Sequence, residues 1–213
     1  MRFAIARRAR RSSAVLPVLL MAACAVAPGP PPTIDLSTRD CAITPELGDA
    51  RPLLLDPGKA QTVNLDAASA CWQMSADSRS AYLVFRLPDA ATPYLVGVTS
   101  EPQGQTLFSP RLVLLDGDGN VARELRRDAF MFHGAALYAS IRSHAGERYL
   151  VVASDPGSVG QLVSQISGST QANAVAAGTA VFAIHTGSEA SNVFIYAHNG
   201  TVTVSAQPLP KAN

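Results

Sequence analysis

Ala81-Tyr82-Leu83-Val84-Phe85-Arg86-Leu87-Pro88 opens the stretch that decides the fold, which runs on to Glu124. In Ala81 to Leu87 every odd position is apolar, while Tyr82 and Arg86 stand at even ones. That is the period-two pattern of a half-buried strand. Pro88 removes a backbone donor and stops it. Tyr94 to Val98 and Leu112 to Leu115 are denser apolar runs, suited to central strands covered on both faces. Leu107-Phe108-Ser109-Pro110 between them reads as a loop. Asp116-Gly117-Asp118-Gly119-Asn120 reads as a β-hairpin turn into Val121 to Leu125, with both glycines expected at positive φ.

Working outward, further strand-like runs recur at Thr62–Leu65, Leu137–Ile141, Arg148–Ala153, Ala180–His185, Val193–Ala197 and Thr201–Ala206. The turn signals His144-Ala-Gly, Asp155-Pro-Gly and His198-Asn-Gly separate them. Helical periodicity is scarce. The pattern predicts an all-β, jelly-roll-like β-sandwich of about eight to ten strands, a single domain over residues 41–213. One segment departs from it: Val159, Leu162, Val163 and Ile166 stand at i, i+3, i+4, i+7, which predicts a short helix. Gly168 to Gly178 is small and polar and predicts a flexible loop.

The N-terminus places Arg2, Arg7, Arg8, Arg10 and Arg11 before an apolar run from Ala14 to Ala23. A basic segment followed by about ten apolar residues is a secretory signal, too short to span a bilayer. The run ends Leu20-Met21-Ala22-Ala23-Cys24, similar to a bacterial lipobox, so residues 1–23 read as signal peptide and Cys24 as the lipid anchor. Ordinary cleavage after Ala23-Cys24-Ala25 is the alternative. Residues 24–40, with Pro28-Gly29-Pro30-Pro31-Pro32, read as a flexible tether. With Cys24 lipidated, Cys41 and Cys71 remain as an even pair, expected to form a disulfide in an oxidising compartment.

The formal net charge is +1, and five of the basic residues fall in the signal. The mature chain is therefore slightly acidic, which argues against a nucleic-acid partner. Asp116, Asp118 and Asn120 sit at the spacing that opens a calcium loop, but Val121 and Arg127 replace that motif's glycine and glutamate. His133, His144, His185 and His198 are scattered without metal-ligand spacing, and no Gly-x-Ser-x-Gly frames a serine. No catalytic residue, metal or cofactor is expected. Aromatic rings pack against the apolar faces of pyranoses, so Trp72, Tyr82, Tyr94 and Phe108 are candidates for carbohydrate stacking, with Phe132 and Tyr138 behind them.

From Cys41 to about Val204 the order of features resembles the MalM family, the periplasmic proteins of bacterial maltose operons. The matching residues are Pro52-Leu53, Thr62-Val63-Asn64-Leu65-Asp66, Ser80 to Pro88, Thr99-Ser100, Leu107 to Pro110, Leu114-Leu115-Asp116, Glu147 to Val151 and Asn199 to Val204. The resemblance implies a non-enzymatic exported protein, accessory to maltose or maltodextrin uptake, with maltodextrin or maltose-uptake proteins as partners. With Cys24 lipidated, the protein would face the periplasm from the outer membrane. A general envelope protein–protein interaction module and a secreted hydrolase are the competing readings.

Overall fold

The computed structural model describes the backbone of residues 33–177 and 180–210, and their side chains outside 166–190. Cys24, the signal and most of the tether lie outside the described residues. The strands are β1 (Arg51–Pro52), β2 (Gln61–Leu65), β3 (Ala70–Ser75), β4 (Ser78–Arg86), β5 (Tyr94–Glu101), β6 (Thr106–Phe108) and β7 (Pro110–Leu115). There follow β8 (Val121–Leu125), β9 (Met131–His133), β10 (Ala136–Arg142), β11 (Tyr149–Ser154), β12 (Leu162–Ala177), β13 (Ala180–Ala197) and β14 (Gly200–Pro208). Among the described residues there is no α-helix, only single 3₁₀ turns at Pro57–Lys59 and Arg127–Ala129.

Two sheets form a sandwich-like body. The first runs β1-β4-β11-β7-β8, with β3 also on β4; the second runs β2-β14-β5-β10-β9. Alternate positions of each point into one core. Ala81, Phe85, Leu112, Leu114, Leu150 and Val152 from the first sheet meet Val96, Val98, Leu137, Val202 and Val204 from the second. The all-β expectation is met, with fourteen strands among the described residues against the expected eight to ten, three of them only two or three residues long.

The first sheet is covered on its other side too. Tyr82, Val84, Val113, Leu115, Val151 and Ala153 form a second cluster under Leu47, Ala50, Trp72 and Met74. The half-buried pattern read in Ala81–Leu87 is therefore corrected: the segment before β1 lies over the face that Tyr82 and Val84 present. That segment is fastened by the Cys41–Cys71 disulfide, whose Cα atoms are 4.8 Å apart. Main-chain bonds from Ala42 N–H to Cys71 O and from Gln73 N–H to Ala42 O continue the fastening onto β3. Packing begins earlier than the expected tether boundary at residue 40. Leu36 is buried, and Ile34 N–H donates to Asn199 Oδ1 at 3.1 Å.

Three further expectations are corrected. Leu107–Pro110 is no loop: Thr106 to Phe108 is β6, parallel to Ile195–Ala197 of β13, and only Ser109 separates it from β7. The helix expected over Val159–Ile166 is a turn followed by the start of β12. The loop expected from Gly168 is the middle of that strand, whose end at Ala177 precedes the undescribed Gly178. A non-local ladder overrides a four-residue apolar period here, since β12 pairs with β13 continuously from Leu162↔Ile195 to Ala177↔Ala180. Val159, Val163 and Ile166, three of the four residues that suggested the helix, are β-branched and so weak helix formers.

Candidate functional site

The hairpin turn at Asp116 is built by its own side chain. Asp116 Oδ1 accepts from the backbone N–H of Asp118 at 2.9 Å and of Asn120 at 2.8 Å. These bonds, the one from Asn120 foremost, hold the carboxyl below its usual range. Gly119 alone takes a positive φ, +85°, and Gly117 does not. The carboxylate is thus committed to the turn.

The side chains expected to stack on sugar mostly fill space instead. Phe108 is fully buried and Tyr82 is 2 % exposed, its hydroxyl accepting from Glu46 N–H at 3.0 Å. Tyr94 is 3 % exposed and donates to Pro88 O at 3.0 Å. Burial first, then the nearby Glu147 carboxylate, pushes its hydroxyl up to about 12. None of these three offers a ring face, which corrects their reading as stacking residues. Aromatic volume on a covered strand contributes more as core than as platform. Trp72 is half-buried, donates its indole N–H to Ile43 O and sits edge-on to Tyr82, with ring centroids 6.4 Å apart. Phe132 and Tyr138 are also half-buried, and Phe132 takes the Arg127 guanidinium at 5.4 Å from its centroid.

One serine–histidine pair could be mistaken for catalytic machinery. Ser154 Oγ lies 2.7 Å from His198 Nδ1. The serine is fully buried, and its Oγ accepts from Ala81 N–H at 3.1 Å. That bond takes one of the two lone pairs of Oγ, and the tautomer of His198 decides which of the two groups donates to the other. Burial lowers the His198 pKa, with Asp35 opposing weakly. A nucleophile must reach substrate; this hydroxyl is a strut between β4, β11 and the β13–β14 connection.

The feature with uncommitted chemistry is a concavity of about 350 Å³ at the open edge of the sandwich. It arises because β3 covers β4 only as far as Ala70↔Tyr82 and β1 only at Phe85 and Arg86, leaving Leu83 and Val84 at a gap. Edge strand β2 and its turn supply Asn64, Asp66 and Ser69 on one wall; Glu46, Asp49 and Arg51 supply the other. Asn64 Oδ1 accepts from the Thr201 hydroxyl, and Asp66 Oδ1 accepts from Ala68 N–H, both at 2.8 Å. Glu46, Asp49 and Arg51 are exposed and their side chains bond to no described residue. Three carboxylates and one guanidinium thus face a single groove. Sequence reading missed it, because its walls come from three separated segments and only the gap in strand pairing joins them. Among the described residues no three His, Cys, Asp or Glu side chains are grouped to hold a metal ion.

No family model, curated protein or solved structure matches the chain.

Proposed function

We propose that this chain is a non-enzymatic envelope protein that acts by binding, an accessory to maltodextrin uptake of the kind that its resemblance to the MalM family implies. The observation that carries the reading is the edge groove, where the carboxylates of Glu46 and Asp49 and the guanidinium of Arg51 are left to bond a polyhydroxylated ligand. Carboxylate, amide and guanidinium groups are the hydrogen-bonding partners that sugar hydroxyls require. The Cys41–Cys71 bridge agrees with an oxidising compartment. Lipidation at Cys24 would hold the protein at the periplasmic side of the outer membrane, and Cys24→Ser should move it from the membrane to the soluble fraction.

Titration calorimetry of the purified chain with maltose, maltotriose and longer glucans tests the groove. Saturable binding is expected, weakened roughly tenfold or more in Asp49→Ala/Arg51→Ala, because a bond to a charged group contributes about 1.5–3 kcal/mol. Binding that the double variant leaves unchanged would place the sugar elsewhere. No binding to any glucan would sink the sugar reading. A second reading, a protein–protein interaction module, is favoured by the burial of Tyr82, the aromatic that lines the groove, which leaves no stacking platform there.

A further inference from the structure

The β12–β13 ribbon is the part of the molecule that neither sheet of the body uses. Its sixteen pairs run without a register shift, a strand length of roughly 50 Å at about 3.4 Å per residue. Its base is fixed. Ile195 to Ala197 pair with β6, and Arg127 Nε donates to the Tyr196 hydroxyl at 2.7 Å while the guanidinium lies over that ring. Beyond Ile195, among the described residues, neither outer edge of the ribbon has a strand partner.

Such edges invite pairing unless lysine, proline or a bulge blocks it. Here the blocks are missing. No proline occurs between Pro156 and Pro208, and no Asp, Glu, Lys or Arg between Asp155 and Glu189. A two-stranded ribbon is also marginal alone in water. The residues change along its length. The shaft pairs Ser167↔Ala190, Ser169↔Ser188 and Gln171↔Thr186, whereas the tip pairs Ala174↔Ala183, Val175↔Phe182 and Ala176↔Val181.

We propose that this ribbon is a self-association arm, and that its occupant is the same ribbon of a second copy of this chain. Charge matching selects that partner. Identical arms repel when charged, and this one carries no Asp, Glu, Lys or Arg from Ser169 to Ser188, its one carboxylate, Glu189, standing toward the base opposite Gly168, so copies meet along that length without like-charge cost. Arms pointing the same way set β12 of one beside β13 of the next, antiparallel, with apolar tip on apolar tip. Arms pointing opposite ways would set each tip against a polar shaft. Same-way pairing leaves one edge open at each side, so addition continues until a ring closes. The inference stands whatever the edge groove binds.

Native mass spectrometry and chemical cross-linking of the full chain in mild detergent test it. The wild type should form a closed oligomer of more than two copies, with slow amide exchange across the arm. Ala172→Lys/Ala176→Lys, which puts two charges into the β12 edge that has to pair with β13 of the neighbour, should give monomer and speed exchange there roughly tenfold or more. The circular dichroism of the body and its Cys41–Cys71 bridge should be unchanged. Replacing residues 168–187 by a short Gly-Ser turn should also give monomer. A monomeric wild type, or an oligomer that survives both changes, would overturn the proposal.

Discussion

The sandwich body and the ribbon are both β-structure, yet they are held by different means. In the body, Leu150 to Ala153 have no more than 0 % exposure at any position, because the second sheet covers one face and the Leu47–Ala50 segment the other. In the ribbon, sixteen residue pairs continue beyond any neighbouring strand except at the base. Body strands owe their stability to burial, worth about 1.5–3 kcal/mol for each large apolar side chain. Ribbon strands have only each other within one chain. The lesson is that strand content alone does not report where a chain is stable.

The sharpest way to expose that difference is a truncation in each region. Phe85→Ala should cost about 3–5 kcal/mol, the usual loss for a fully buried aromatic. Ala174→Ser, on the ribbon, should leave the denaturation midpoint of the body where it was. Equal losses in urea unfolding would mean that ribbon and body melt as one unit.

The next largest effect concerns how the outer cover of the first sheet is held down. The bridge joins positions 30 residues apart in sequence, a loop whose closure is worth about 3–4 kcal/mol on chain entropy. Cys41→Ser/Cys71→Ser should lower stability by about that amount. It should also raise protease sensitivity in the segment over Tyr82 and Val84, while the ribbon's exchange stays as it was. Stability unchanged by the double substitution would show that packing alone fixes the cover.

These two regions were unequally legible. The body strands could be read because Leu112 to Leu115 and Ala81 to Leu87 declare themselves by short-range pattern. The second coat on Tyr82 and Val84 could not, since it depends on residues brought back by a bridge from forty positions earlier or so. The β12 half of the ribbon was misread for the same reason, whereas the predicted runs Ala180–His185 and Val193–Ala197 both lie in β13. Ser167 to Ala174 is small and polar, and only its partner across the pair ladder makes it a strand. The groove combines both difficulties: its charged residues are ordinary surface residues until the gap at Leu83 and Val84 gathers them.

Where ribbon returns to body, Gly200 is the close point. Its φ is +152°, and a methyl there would stand 2.8 Å from Phe108 Cβ. Gly200→Ala should cost about 1–3 kcal/mol, the range for overpacking a filled core. The neighbouring His198 makes the same junction pH-dependent. Its folded-state pKa lies below 6.5 because burial disfavours the charged ring, so the unfolded chain binds the proton more readily. Stability should be level above that pH and fall as pH drops through the lower folded value. His198→Gln should flatten this acid limb in thermal melts. A limb unchanged in the variant would assign the loss to other groups.

The smallest expected effect is at the β7–β8 turn, a second hairpin end and a useful contrast to the ribbon tip. Here the turn is stitched by one carboxylate, with Asp116 accepting from two backbone amides and from the Asn120 side chain. Asp118 contributes its backbone N–H to that set and no side-chain bond to a described residue. Asp118→Ala should therefore change stability by less than about 0.5 kcal/mol, as surface substitutions do. Asp116→Ala should lower the melting temperature measurably more. Calcium discriminates between turn and metal loop. A site filled at a hundred times its dissociation constant would add about 2.7 kcal/mol, an easily seen rise in melting temperature. With Asp116 already spent on amides, calcium should leave the melt unmoved. A calcium-dependent rise that Asp118→Ala abolishes would turn this hairpin end into a ligand loop, and the body would then carry a second binding element beside its edge groove.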